Sequence, residues 1–178
     1  MRFIQDDQEE DGSWYGRWGV NYIYGTWSVL VALEAIGQDM NQDWIQRAVT
    51  FLKGMQRRDG GWGEDNGNYW TPPRGRADIT TSFQTAWAML GLMAAGERAS
   101  DTLARGAAWL IDTQGDDGAW HDPEHTAPGF PRVFYLKYHG YTRYFPLWAL
   151  ARYRNLHPSE DDGPKQSPNA NLDRRGTS

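Results

Sequence analysis

Apolar residues fall into two alternating kinds of helical segment along this chain. The first kind keeps a polar face. Residues 41–55 and 100–113 set apolar positions at helical spacing beside Gln46, Arg47 and Arg105, the pattern of a helix with one side in solvent. Asn41 is the expected N-cap of the earlier segment, and Ser100 or Asp101 of the later one. The second kind is more apolar: residues 24–36 ended by Gly37, residues 81–95 ended by Gly96, and residues 142–156. Runs such as Trp27-Ser28-Val29-Leu30-Val31-Ala32-Leu33 leave no face for water, so these helices belong inside a larger assembly.

A repeated phrase joins the two kinds: an aromatic–aliphatic pair, three residues, a glutamine, three residues, then Gly-x-Trp. Its copies are Phe3-Ile4 with Gln8 and Gly12-Ser13-Trp14, Phe51-Leu52 with Gln56 and Gly60-Gly61-Trp62, and Trp109-Leu110 with Gln114 and Gly118-Ala119-Trp120. The last two copies extend upstream to Arg47-Ala48 and Arg105-Gly106. Trp62 follows Trp14 by 48 positions and Trp120 follows Trp62 by 58, a period that marks stacked supersecondary units. Each glutamine is expected to satisfy carbonyls left open at the end of its own outer helix. Each tryptophan is expected to stack on that amide while its indole N–H reaches a polar neighbour. Glycines such as Gly60 and Gly61 supply turn conformations closed to other residues. Gln8, Trp14, Gln56, Trp62, Gln114 and Trp120 thus read as structural clasps between hairpins.

Alternating outer and inner helices at this period predict an all-α fold, an α/α barrel or toroid. Such barrels commonly close with six hairpins. The three inner helices here make about half of one, so the chain is expected to be the C-terminal part of a longer protein. Met1-Arg2-Phe3-Ile4 reads as the last turn of an outer helix begun upstream. The barrel segment is assigned to residues 1–157. Residues 158–178 are polar and proline-containing and are predicted to be a disordered tail. The aromatic share is 14% with ten tryptophans, enough to suggest a use beyond packing. A net charge of −5 offers no basic field to nucleic acid. With no cysteine there are no disulfides and no thiolate metal sites. No run approaches the ~18 apolar residues of a spanning helix, and no basic-then-apolar leader opens the chain. A soluble or peripherally attached domain is expected.

The clasps resemble the QW motif of triterpene cyclases. Gly12 to Thr26, Asp59 to Asp65, Gln84-Thr85-Ala86-Trp87, and Gly129-Phe130-Pro131 through Phe134, Tyr135, Leu136, Tyr138 and Tyr141 are similar to segments of squalene–hopene cyclases. The resemblance covers residues 1 to about 157. Oxidosqualene cyclases share the clasps, but Val20-Asn21-Tyr22-Ile23-Tyr24 fits the bacterial squalene-type enzymes better. The resemblance implies acid-initiated carbocationic polycyclisation of squalene to hopene or hopanol, in hopanoid biosynthesis. It implies no cofactor and no metal. The implied partners are squalene or a related polyprene and one leaflet of a membrane, with no nucleic acid, and a homodimer is compatible with it. The implied location is the cytoplasmic face of the bacterial membrane, with peripheral or monotopic attachment. A carbocation needs negative potential without a nucleophile, and an aromatic face supplies it at about 2 kcal/mol when desolvated. A dry pocket also delays quenching. A related polyprenyl or oxidosqualene-type cyclase, and a non-catalytic lipid-binding toroid fragment, stand as alternatives.

By resemblance, Trp18 and Tyr24 fall near the end of the cavity where protonation begins, with the Tyr24 hydroxyl in the network around the acid. Phe130 and Phe134 match positions that stabilise later cations. Tyr138 and Tyr141 match positions that shape the substrate and stabilise early ones, and Leu136 is a further lining candidate. Were the segment helical, Phe130, Phe134, Tyr138 and Tyr141 would share one face, although Pro131 and Gly140 weigh against a regular helix. The family's acid is the middle aspartate of Asp-x-Asp-Asp. That motif is absent from the sequence, where Asp6-Asp7, Asp116-Asp117 and Glu160-Asp161-Asp162 are spaced differently. No catalytic residue is therefore assigned here, the donor is expected upstream, and the segment alone is expected to be inactive.

Two other constellations carry candidate chemistry. His121-Asp122-Pro123-Glu124-His125 has metal-ligand types, but Pro123 breaks a helical pairing, and a solvated loop is the better expectation. Protein prenyltransferase β subunits share the toroid, yet their zinc site needs a cysteine. Barrel glycosidases use carboxylates across a cleft. Glu64-Asp65 are adjacent and read as surface residues.

Overall fold

The computed structural model describes residues 2–69, 76–130 and 133–158. Among the described residues six α-helices form three outer–inner pairs: α1 (Arg2–Asp6) with α2 (Tyr22–Ala35), α3 (Asp43–Met55) with α4 (Ser82–Ala94), and α5 (Asp101–Asp112) with α6 (Tyr141–Leu156). All 13 residues of α4 are buried, as its apolar circumference demands. It packs against both α2 and α6, and α3 and α5 lean on it from outside. The outer helices α3 and α5 bury one stripe each, Ile45, Ala48, Val49, Leu52 and Met55 on α3 and Leu103, Gly106, Ala107 and Leu110 on α5, while the short α1 buries none. The described helices do not close a ring by themselves.

Helix boundaries follow local hydrogen bonding. Ser100 caps α5, its side chain accepting from the Leu103 N–H at 3.3 Å. Asn41 does not cap α3. Gln42 holds the N-cap position, and the Asn41 backbone and amide nitrogens both bind Asp39 Oδ1, at 3.0 and 3.1 Å. The short Asx turn outcompetes the cap. The inner helices α2 and α4 end alike. Gly37 (φ 72) and Gly96 (φ 90) follow them, and the next residues, Gln38 and Glu97, donate back to Leu33 O and Leu92 O at 3.0 and 3.1 Å, a Schellman closure.

The all-α expectation omits two small antiparallel hairpins. Strand β1 (Trp62–Glu64) pairs with β2 (Arg76–Thr81), and β3 (Ala127–Phe130) with β4 (Phe134–Leu136). The predicted tail lies, apart from Pro158, outside the described residues, as does Pro131.

The clasps work with their roles exchanged. The indole N–H, not the glutamine, satisfies the outer helix: Trp14 donates to Ile4 O at 2.8 Å, Trp62 to Leu52 O at 2.7 Å and Trp120 to Leu110 O at 2.9 Å. The acceptor is each time the aliphatic member of the phrase's opening pair. The glutamine instead reaches forward. Gln8 Nε2 donates to Gly12 O and to Trp44 O on α3, and Gln56 Nε2 to Gly60 O and to Thr102 O on α5. The basic residues complete the link, Arg47 donating to Gln8 Oε1 at 2.8 Å and Arg105 to Arg57 O at 2.7 Å. In the third clasp Gln114 Nε2 meets Gly118 O at 2.8 Å.

The left-handed glycines of the first two clasps, Gly12 and Gly60, also touch the next outer helix, at Arg47 and Arg105. A Cβ on Gly60 (φ +99) would stand 2.8 Å from Arg105 O, whereas one on Gly37 (φ +72) would meet nothing within 4 Å. Gly37→Ala should therefore lose only the backbone term, about 1–2 kcal/mol. Gly60→Ala should lose more, because α5 must also retreat. Thermal unfolding of the two variants side by side checks the difference.

Candidate functional site

The three inner helices each contribute aromatic rings at helical spacing to one continuous wall. Tyr24 and Trp27 come from α2, Phe83 and Trp87 from α4, and Tyr141, Phe145 and Trp148 from α6. Trp87 is the hub, with ring centroids 5.0 Å from Tyr24, 5.8 Å from Trp27, 5.1 Å from Phe83, 5.8 Å from Tyr141 and 5.5 Å from Phe145. Trp27 and Trp87 stack with planes 12° apart, while the other contacts of Trp87 are edge-on. Edge-to-face packing sets ring edges against neighbouring faces. Phe83 and Trp87 are fully buried, and the buried indole nitrogens of Trp27 and Trp87 have no hydrogen-bond acceptor. Packing alone holds those two rings.

Tyr138 extends the wall, stacked on Tyr141 at 5.0 Å. Burial pushes the Tyr141 phenol above its ordinary pKa, and the neighbouring Tyr24 and Tyr138 phenols add to the rise. A raised folded-state value has one sign. Stability from this group is complete below pH 10, the unfolded value, and is lost as pH rises through the folded one. In an absorbance-monitored alkaline titration Tyr141 should ionise late, and Tyr141→Phe should remove that late component.

A buried polar node underlies the wall. Glu64 is 4% exposed, which corrects its expected place on the surface; only its neighbour Asp65 is exposed. The Glu64 carboxylate accepts from the backbone N–H groups of Asn21, Tyr22 and Ile23. Glu64's own N–H donates to Gln84 Oε1, and Gln84 Nε2 donates to Val20 O. Asp122 likewise is not a solvated loop residue. Its Oδ2 accepts from the Ser82 N–H at 2.9 Å and the Ser82 hydroxyl at 2.6 Å, at the start of α4. Burial raises its pKa, and the bonds from Ser82 partly offset that rise. His121 pairs with Asp117 at 3.0 Å. Among the described residues no three His, Cys, Asp or Glu side chains could hold a metal ion.

The candidate residues separate into three groups. Tyr24, Tyr138 and Tyr141 lie in the wall. Phe130 and Phe134 face each other across the β3–β4 hairpin at 5.6 Å, 64% and 45% exposed, with Leu136 half-buried in the same strand. They therefore share no helical face with the two tyrosines. The Phe134 ring covers Gly129, where a Cβ would run into it. Trp18 is 62% exposed, with the Arg17 guanidinium carbon 5.8 Å from its ring centre. Among the described residues no ring contact joins it to Tyr24. Trp27, Phe83, Trp87 and Phe145 were not among the expected site residues. Their signal was the spacing of aromatics three or four apart on each inner helix, which core packing would also produce.

Residues 1–155 match the family described as the squalene-hopene cyclase C-terminal domain. The chain is 54% identical over 155 residues to a squalene–hopene cyclase of Zymomonas mobilis, across 86% of this chain and 24% of that protein. It is 56% identical over 157 residues to a probable squalene–hopene cyclase of Sinorhizobium fredii, across 88% and 24%. The chain thus spans about a quarter of the length of the curated relatives it matches. Among solved structures, a variant of the type II terpene cyclase MstE from Scytonema, in complex with merosterolic acid A, superposes with a TM-score of 0.65 at 20% identity, over 87% of this chain and 48% of that one. The ent-copalyl diphosphate synthase of Streptomyces platensis gives 0.63 at 23%, over 85% and 27%. These likenesses place the helices in an α/α toroid.

Proposed function

The chain belongs to the squalene–hopene cyclase family, and we propose that within a complete cyclase it forms one wall of the cavity in which a polyprene folds and cyclises. The aromatic wall from Tyr24 through Trp87 to Tyr141 and Phe145 carries this reading. Protonation of a terminal alkene by an aspartate outside this chain would start the cascade. The wall rings with an open side, Tyr24, Trp27, Tyr138, Tyr141 and Phe145, then offer the negative potential of their faces to cationic carbons, while the buried Phe83 and Trp87 hold those rings in place. The apolar surroundings exclude water, which would quench the cation early. Squalene is the substrate favoured by the relatives' names, with hopene or hopanol as product. Attachment is proposed to be peripheral, at the cytoplasmic face of the membrane. No helix among the described residues is long and apolar enough to cross one.

The complete protein incubated with squalene should yield pentacyclic triterpene, detected by gas chromatography and mass spectrometry. An active-site aspartate present but no cyclised product from squalene or another polyprene would defeat the reading. The 178-residue chain alone should yield none. Phe134→Ala in the complete protein should release prematurely quenched products, and an unchanged profile would remove Phe134 from the cavity.

A further inference from the structure

Resting on the proposed cyclisation, we infer that Glu64 is a positioning residue that fixes helix α2, and with it Tyr24, against the rest of the aromatic wall. The first amides of a helix have no acceptor within it, and in α2 the N-cap residue Asn21 makes no side-chain bond to them. Glu64, on strand β1, does so from a distant part of the sequence. Its Oε2 accepts from the N–H of Asn21 at 3.0 Å and of Ile23 at 2.6 Å, and its Oε1 from that of Tyr22 at 3.2 Å. A carboxylate there also meets the positive end of the helix dipole, and bonds to an ionised acceptor are the stronger kind.

The same node reaches α4. The Glu64 N–H donates to Gln84 Oε1 at 2.9 Å, and Gln84 Nε2 donates to Val20 O at 3.0 Å and to Glu64 O at 3.3 Å. Gln84 sits beside Phe83 and less than one turn before Trp87. One buried cluster therefore fixes the start of α2, which carries Tyr24, and the start of α4, which carries Trp87, and the two rings lie 5.0 Å apart. Both carboxylate oxygens are engaged by backbone donors and the residue is 4% exposed, so Glu64 acts through the wall and not on the substrate. Glutamine in its place keeps the size but turns an NH2 group toward an N–H, leaving a buried donor unpaired.

The test compares Glu64→Gln and Glu64→Asp with wild type in the complete protein acting on squalene. Glu64→Gln should lower kcat by roughly tenfold to a hundredfold, as for displacements of about an ångström, with KM little changed. It should also raise the proportion of mono- and bicyclic products. Glu64→Asp, which keeps the charge, should recover part of both. The product ratio is read per turnover and does not depend on how much enzyme is folded, so a merely structural role would leave it unchanged. If Glu64→Gln does not accumulate as folded protein, the Glu64→Asp ratio decides. A wild-type product ratio in the folded variant overturns the positioning role. A wild-type protein that forms no cyclic product defeats the proposed function itself.

Discussion

Trp87→Ala should destabilise the barrel by about 3–5 kcal/mol, the range for emptying a buried tryptophan site. The indole is fully buried and touches rings from all three inner helices, so no single neighbour can close the gap. Trp87→Phe should cost much less. It keeps an aromatic edge toward Tyr24 and Tyr141, and the lost indole N–H has no acceptor to leave behind. Thermal unfolding of both variants in the complete protein checks this. An alanine variant as stable as the phenylalanine one would show that the wall is not packed as described.

Trp62 should be more sensitive than Trp87 to the same conservative change. Trp62→Ala should again cost about 3–5 kcal/mol, since Trp62 is also fully buried. Trp62→Phe, however, should be worse than Trp87→Phe. It removes the donor that meets Leu52 O at 2.7 Å, and an orphaned buried acceptor costs about 1–3 kcal/mol. The two phenylalanine variants, compared by unfolding temperature, thus separate a clasp tryptophan from a wall tryptophan. Equal shifts would contradict the hydrogen-bonded role of the clasp.

What the sequence made legible was periodic. The alternation of half-polar and more apolar helices, the closing glycines Gly37 and Gly96, and the clasp phrase all recur along the chain, and the structure keeps them, although α6 buries only Thr142, Pro146 and Ala149. The partners within a clasp were not legible. A glutamine near a helix end can serve its own helix or the next one, and only the tertiary packing of Trp44 and Thr102 beside Gln8 and Gln56 decides. Glu64 was misplaced for a related reason. A carboxylate next to Asp65 looks solvated in sequence, yet three amides more than forty positions earlier hold it inside. The aromatic candidates divide along the same line. Tyr24, Tyr138 and Tyr141 sit on or beside helices whose facing rings fix them, whereas Phe130 and Phe134 lie on a hairpin that helical spacing did not foresee. Trp87, central to the wall, was hidden among residues that any buried helix would carry.

The wall's chemical role is tested most directly by the product profile of Tyr141→Ala in the complete protein, with squalene as substrate and wild type alongside. Tyr141 bridges Tyr138 and Trp87 within the wall, at 5.0 and 5.8 Å, so under the proposed function its removal would take a ring face from the cation and open space for water. Mono- and bicyclic products should rise markedly relative to pentacyclic triterpene. A pentacyclic fraction equal to wild type, from a folded and active variant, would contradict it.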